Sequence, residues 1–162
     1  MEQEALQPVT DSQMEVLEEA VSQYEAGMTV EAAQYLLGRG LTQETVVSNR
    51  LGVVTDPLPG HEPFRGMVAI PFLLDGKPLR IRFRCIQDHD HSAFSHGKYM
   101  QPSGESVMAY NVGAIDRATD TIHVTEGEFD AMILDQAGLP AMGFPGASTF
   151  KSHHGRMLAG MN

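Results

Sequence analysis

The apolar positions of the chain fall into three successive patterns. Over residues 13–26, Met14, Leu17, Val21 and Tyr24 recur at helical spacing, and Ser12 with Glu15 has the form of a capping box. The same spacing predicts a helix over 30–37 after Thr29, stopped by Gly38 and Gly40. A third follows Thr42 as N-cap and runs to Leu51, with Gly52 beyond its end. These last two read as a short helical hairpin. Residues 56–63 form a loop, because Pro57, Pro59 and Pro63 bar regular structure.

The period then drops to two. Residues 66–74 and 78–86 flank Asp75, Gly76 and Lys77, a hairpin signal. The first strand is apolar throughout, which predicts burial on both faces, although Pro71 requires an edge or a bulge. The second alternates, with Leu79, Ile81, Phe83 and Cys85 on one side and Arg80, Arg82 and Arg84 on the other.

The third pattern is strand, turn, helix, strand. Residues 121–124 are rich in β-branched side chains, 125–127 form a tight turn, and 128–136 form a helix with Phe129, Met132 and Ile133 on one face. Gly138 closes that helix and 139–144 supply a second strand, while 107–112 and 114–118 lead into the unit. Such units build parallel sheets, and Glu126 falls just beyond a strand's carboxyl end, where open α/β sheets hold ligands. The expected fold is α+β to α/β: a helical N-terminal hairpin, a mixed β-sheet, then an incomplete βαβ unit.

Composition narrows the function classes. A length of 162 residues allows one domain with a real core. The single Cys85 excludes a disulfide framework and any cysteine-based zinc finger or ribbon within the chain. Neither a signal peptide nor a long apolar run is present, so the expected setting is the cytosol, with no membrane partner. The net charge of −10 argues against a protein that simply coats nucleic acid, but the charge is uneven. Residues 1–31 hold eight acids and no lysine or arginine, so the first helix reads as a solubilising segment packed loosely on the body; a docking helix is the alternative.

Candidate chemistry begins only after residue 64. Glu126, Glu128 and Asp130 lie within five residues, and Mg²⁺ takes one or two carboxylates plus water and substrate phosphates. The alternative is a solvated first helical turn, in which Glu128 and Asp130 complement the helix dipole. Same-face residues on a strand lie about 6.5–7 Å apart, near the spacing of successive phosphates, so Arg80, Arg82 and Arg84 make a phosphate rail. A charged face that discourages edge pairing is the competing account. His89, His91, His96 and Cys85 are suitable metal ligands, but their spacing matches no standard zinc pattern, and the expected reading is a solvated loop. Lys98 and Tyr99, in a turn-rich loop, suit the wall of a nucleotide site.

Five segments together carry a resemblance. Tyr-Leu-Leu-Gly-Arg-Gly-Leu (35–41), Phe-Arg-Gly-Met-Val-Ala-Ile-Pro-Phe (64–72), Arg-Ile-Arg-Phe-Arg (80–84), Lys-Tyr-Met-Gln-Pro-Ser (98–103) and Val-Thr-Glu-Gly-Glu-Phe-Asp-Ala (124–131) resemble, in order, the RNA polymerase domain of bacterial-type (DnaG-like) DNA primases. The last resembles the first acidic motif of the TOPRIM fold. The likeness covers residues 30–162 and implies three parts: an acidic helical segment over 1–28, a primase-like subdomain over 29–118, and a truncated TOPRIM subdomain over 119–162. It implies that Glu126 is the TOPRIM glutamate of metal-dependent chemistry, with Asp130 in the motif's later acidic place. It implies further that Arg80, Arg82 and Arg84 face template and nucleotides, and that Lys98 and Tyr99 help form the nucleotide site.

Two departures qualify the likeness. The family's zinc-binding module is absent, and its second TOPRIM motif, an Asp-x-Asp pair, should follow a helix at 150–158, yet no Asp or Glu occurs after Asp135. The expectation is therefore the front half of a primase that makes short RNA primers on a single-stranded DNA template. It would use ribonucleoside triphosphates and Mg²⁺ or Mn²⁺, with a second polypeptide completing the TOPRIM fold as in a split phage primase, or with the rest lost to truncation. A replicative helicase is a further implied partner, and the host cytoplasm the implied location if the chain is phage-encoded. The alternatives are a non-catalytic TOPRIM-like protein that binds nucleic acid or nucleotide, and a TOPRIM nuclease fragment.

Overall fold

The computed structural model describes residues 9–146 and 150–161, so the first eight residues of the acidic segment, and 147–149 and 162 of the last part, lie outside it. Helix α1 (Asp11–Ala26) starts two residues earlier than its periodicity predicts. Its cap is Thr10, not Ser12: the Thr10 hydroxyl accepts from the Gln13 N–H at 3.3 Å, and the Gln13 carboxamide oxygen accepts from the Thr10 N–H at 2.9 Å. A glutamine at N3 closes the box as a glutamate does. Nor is α1 loosely attached, since Ala20, Val21 and Tyr24 are fully buried. Its acids are partly spoken for, because Arg50 reaches Glu18 at 2.7 Å and Glu25 at 2.8 Å, holding the Glu18 carboxyl below the usual carboxylate range.

Helix α3 (Gln43–Ser48) is capped by Thr42 as its sequence predicts, and α2 (Val30–Gly38) is capped by Thr29. Helix α3 stops short of Leu51, and Arg50 adopts a left-handed conformation, φ 54°, that turns the chain into β1 (Gly52–Val53). Strands β2 (Val68–Leu74), β3 (Lys77–Arg84) and β4 (Tyr99–Met100) complete an antiparallel sheet in the order β1-β2-β3-β4. Asp75 and Gly76, with φ 51° and 76°, give the left-handed pair that a tight hairpin demands. Strand β1 pairs only with Val68 and Ala69, so β2 is an edge from Pro71 onward, and its register with β3 shifts between Phe72 and Leu73. Pro71, paired in register with Ile81, thus has the free side it needs.

A separate parallel pair, β5 (His123–Thr125) and β6 (Ala141–Gly143), is joined by α5 (Glu128–Gln136), whose bounds agree with the sequence reading. Helices α4 (Ala114–Arg117) and α6 (Ser152–Met157) flank this pair, and Tyr110 bridges antiparallel to Gly143. The expected mixture of strand directions is present, divided between two sheets.

The larger sheet is covered on both faces. On one, Val21 and Tyr24 of α1 meet Phe64, Ile81 and Phe83, the two phenylalanine rings stacked at 4.1 Å. On the other, Val68, Ile70 and Phe72 pack with Leu36 of α2 and with Phe129 and Met132 of α5. Directly paired residues point to the same face, and Val68, Ile70 and Phe72 pair with Arg84, Arg82 and Arg80. The arginine face therefore lies beneath α2 and α5. Among the described residues, no helix is long and apolar enough to cross a membrane.

Two stability predictions follow from the α1 side. A Cβ on Gly52 would fall inside the main chain of Tyr24, which cannot shift without moving α1. Gly52→Ala is expected to cost at least about 3 kcal/mol in denaturant titration, and an unchanged midpoint would contradict this packing. His61 lies among Tyr24, Phe64 and Phe83, and shares a 2.7 Å hydrogen bond between its Nδ1 and the Tyr24 hydroxyl. Burial pushes its pKa below the ordinary 6.5, partly opposed by Glu62. The unfolded chain then binds more protons as pH falls through about 6.5, so this contribution is complete above that pH and lost below it. Thermal midpoints should drop between pH 7.5 and pH 5, and drop less for His61→Gln; equal drops would contradict the assignment.

Candidate functional site

Strand β5 ends at Thr125, and the turn at Glu126 and Gly127 delivers the chain into α5. The Thr125 hydroxyl donates to the Gly127 carbonyl at 2.9 Å, and the Phe144 N–H donates to the Thr125 carbonyl at 2.8 Å, which fixes the turn against the end of β6. Gly143 is needed there: a Cβ on it would lie 2.9 Å from the Gly127 carbonyl oxygen.

A cleft of about 350 Å³ opens at this point, lined by Arg82, Tyr99, Glu126, Gly127, Glu128, Asp130, Pro145 and Gly146. It gathers residues from β3, β4, the β5–α5 turn, the first turn of α5 and the segment after β6. The three acids divide between two roles. Glu126 and Asp130 are exposed on the cleft, and among the described residues no hydrogen bond or ion pair engages either carboxylate. Glu128 turns inward instead: it is 1% exposed and accepts from Arg82 Nη1 at 2.6 Å. Helical geometry explains the division, since positions 128 and 130 differ by about 200° around the axis. The solvated first turn considered from sequence therefore fails for Glu128. Its burial had a signal, because Ala131 and Met132, at i+3 and i+4, are core residues.

The arginines are less open than a rail. Arg84 is only 4% exposed; its Nε donates to the Tyr35 hydroxyl at 2.8 Å, and its guanidinium lies 4.6 Å from the Tyr99 ring centroid and 5.3 Å from that of Phe129. Arg82 has one edge on Glu128 and stands 4.9 Å from the Tyr99 ring, while its Nε is buried with no hydrogen-bond partner among the described residues. Arg80 lines a separate small hollow and reaches Glu105 at 3.4 Å. Burial pushes the Glu105 carboxyl and the Tyr99 phenol above their ordinary pKa values, so Tyr99 stays protonated. Lys98 is exposed and does not line the cleft; its carbonyl accepts from the Cys85 N–H at 3.0 Å. The cleft thus joins Glu126, Asp130, Arg82 and Tyr99, and leaves Arg80, Arg84 and Lys98 outside it. Tyr35, which anchors Arg84, was not legible as part of this assembly, because its placement depends on α2 folding over β3.

The donor chemistry fits a hard divalent cation. Two free carboxylates with room beside them are what Mg²⁺ or Mn²⁺ uses when water and phosphates supply the remaining ligands.

No protein-family model matches the chain. Over 103 residues it is 33% identical to the gene 57 protein of Mycobacterium phage D29, a match spanning 60% of this chain and 63% of that one. Among solved structures it is similar to the RNA polymerase domain of Mycobacterium tuberculosis primase DnaG, with a TM-score of 0.71, 18% identity, and coverage of 94% of this chain and 62% of that one. The Aquifex aeolicus primase, comprising zinc-binding and RNA polymerase domains, gives a TM-score of 0.71 at 16% identity, covering 94% of this chain and 47% of that one. A DNA primase domain from Pseudomonas aeruginosa gives 0.69 at 21% identity, covering 91% and 58%. Similar structures include a DnaG catalytic domain bound to single-stranded DNA and the M. tuberculosis domain with an overhanging DNA duplex. The fold is that of the DnaG primase catalytic core, and the chain spans about three fifths or less of the relatives it matches.

Proposed function

We propose that these residues supply the nucleotide- and template-facing half of a primase centre that joins ribonucleotides on single-stranded DNA. The observation that carries the reading is the cleft itself: two unengaged carboxylates, an arginine and an aromatic ring converge beyond the carboxyl end of β5, in a primase-core fold. In the reaction, the 3′-hydroxyl of one nucleotide attacks the α-phosphate of the next and pyrophosphate leaves.

Glu126 and Asp130 would hold Mg²⁺ or Mn²⁺, which supplies charge neutralisation at the phosphates. Arg82 contributes a positive charge at the cleft wall, held in place by Glu128, so little side-chain ordering remains when phosphate binds. Tyr99 presents an aromatic ring beside the same cleft, suited to a base. The structures of similar domains with single-stranded and overhanging DNA support a DNA template as the partner. The remaining metal-binding carboxylates would come from outside these 162 residues, on a continuation of this chain or on a second polypeptide.

One observation favours binding without catalysis: among the described residues, two carboxylates and no more face the cleft unengaged. Both readings place nucleotide phosphates beside Glu126, so the site is tested first. Titration of the chain with Mn²⁺ and ATP should broaden the amide resonances of residues 126–130 and 146 before all others. Broadening that spares them would overturn the site.

A further inference from the structure

Between β3 and β4 the chain departs at Cys85 and returns at Lys98. The base of this loop is closed by the Cys85 N–H bond to Lys98 and by the pairing of Phe83 with Met100 and Arg84 with Tyr99. Inside it, the expected solvated histidines do not point apart. One ligand atom each from Cys85, His89, His91 and His96 lies within 4.8 Å of all the others, and Cys85 Sγ is 3.6 Å from His89 Nε2. The three imidazole centroids are 4.7, 5.1 and 5.3 Å apart.

Local backbone features produce the convergence. A 3-10 turn over His91–Phe94 is capped by Asp90, whose Oδ1 accepts from the Ser92 N–H at 3.0 Å and from its hydroxyl at 2.7 Å. Ser95 then adopts φ 57°, a left-handed conformation uncommon outside glycine, and returns His96 so that its N–H donates to the His91 carbonyl at 3.3 Å. The Cys85 thiol is buried, and His91 Nδ1 is buried with no hydrogen-bond partner among the described residues. An orphaned buried nitrogen of this kind costs free energy that a bound cation would recover.

We propose that Cys85, His89, His91 and His96 form a tetrahedral Zn²⁺ site that staples the β3–β4 loop. With Zn–S near 2.3 Å and Zn–N near 2.05 Å, a tetrahedral site sets the S···N edge at about 3.6 Å, the separation already present between Cys85 and His89. The widest separation, at most 4.8 Å, closes by about 1.2–1.5 Å to reach a tetrahedral edge. One thiolate with three imidazoles selects zinc over Mg²⁺ or Ca²⁺, so this site is chemically distinct from the carboxylate cleft. Its consequence reaches that cleft, because the stapled loop ends on Tyr99, whose ring contacts both Arg82 and Arg84.

The test needs no activity. The full chain, purified without an affinity tag, should carry about one zinc ion by elemental analysis. After chelation and addition of Co²⁺, it should show the thiolate-to-cobalt charge-transfer band and the intense visible bands of a tetrahedral site. Cys85→Ser should remove the charge-transfer band. Since Cys85 is buried, His96→Ala gives an independent reading, with zinc affinity lowered at least about 100-fold. A chain folded by circular dichroism that holds neither zinc nor tetrahedral cobalt would overturn the proposal, as would full zinc occupancy in both variants. A zinc-bearing chain that makes no primers even when mixed with the polypeptide encoded downstream leaves this site standing and removes only the primase reading.

Discussion

Replacing Glu126 with glutamine is expected to lower ribonucleotide incorporation by the assembled enzyme about 1,000-fold or more, with no measurable change in melting temperature. The substitution removes one anionic ligand from a site where metal binding supplies several kcal/mol of transition-state stabilisation, and each 1.36 kcal/mol is a factor of ten. The fold has no stake in this side chain, which is exposed and makes no hydrogen bond or ion pair among the described residues. Surface changes of that kind stay within about 0.5 kcal/mol. Synthesis at the wild-type rate would mean that the metal is held elsewhere, whereas a large loss of stability would mean that Glu126 has a structural partner.

Arg82→Ala is expected to weaken the fold itself, with a destabilisation of about 3–5 kcal/mol, because it strands the Glu128 carboxylate at 1% exposure at the start of α5. That is a large part of the total stability of a domain this size. Removing both partners together, as Arg82→Met with Glu128→Leu, should recover most of the loss, since a buried ion pair can be exchanged for apolar packing at little net change. Denaturant titration of the two single variants and the double gives the coupling directly. A single-variant loss under about 1 kcal/mol, or strictly additive losses, would show that the pair is not the bolt between β3 and α5.

These two residues also mark what could be read from the sequence. The helix over 128–136, the Asp75 and Gly76 turn, the Thr42 cap and the position of Glu126 beyond a strand are local properties, and local chemistry determined them. The start of α1 was misjudged because two box-like patterns stand two residues apart, Thr10 with Gln13 and Ser12 with Glu15, and the first of them forms the cap. Alternation placed the three arginines on one face of β3. It held no information that α1 would take the opposite face and leave α2 and α5 to cover the guanidiniums. The role of Glu128 was hidden for the same reason, since its partner is 46 residues distant. Ligand spacing in the 85–96 loop looked irregular because the convergence runs through a 3-10 turn and a left-handed serine, which spacing does not register.

The central claim is tested most directly by primer synthesis on single-stranded DNA, with labelled ribonucleotides and Mg²⁺ or Mn²⁺. The chain is assayed alone and together with the polypeptide encoded immediately downstream. The account predicts short RNA products in the mixture that disappear with Glu126→Gln, and none from residues 1–162 alone. Salt-sensitive DNA binding without products in any pairing would contradict it in favour of a binding protein, and metal-dependent DNA cleavage would contradict it in favour of a nuclease.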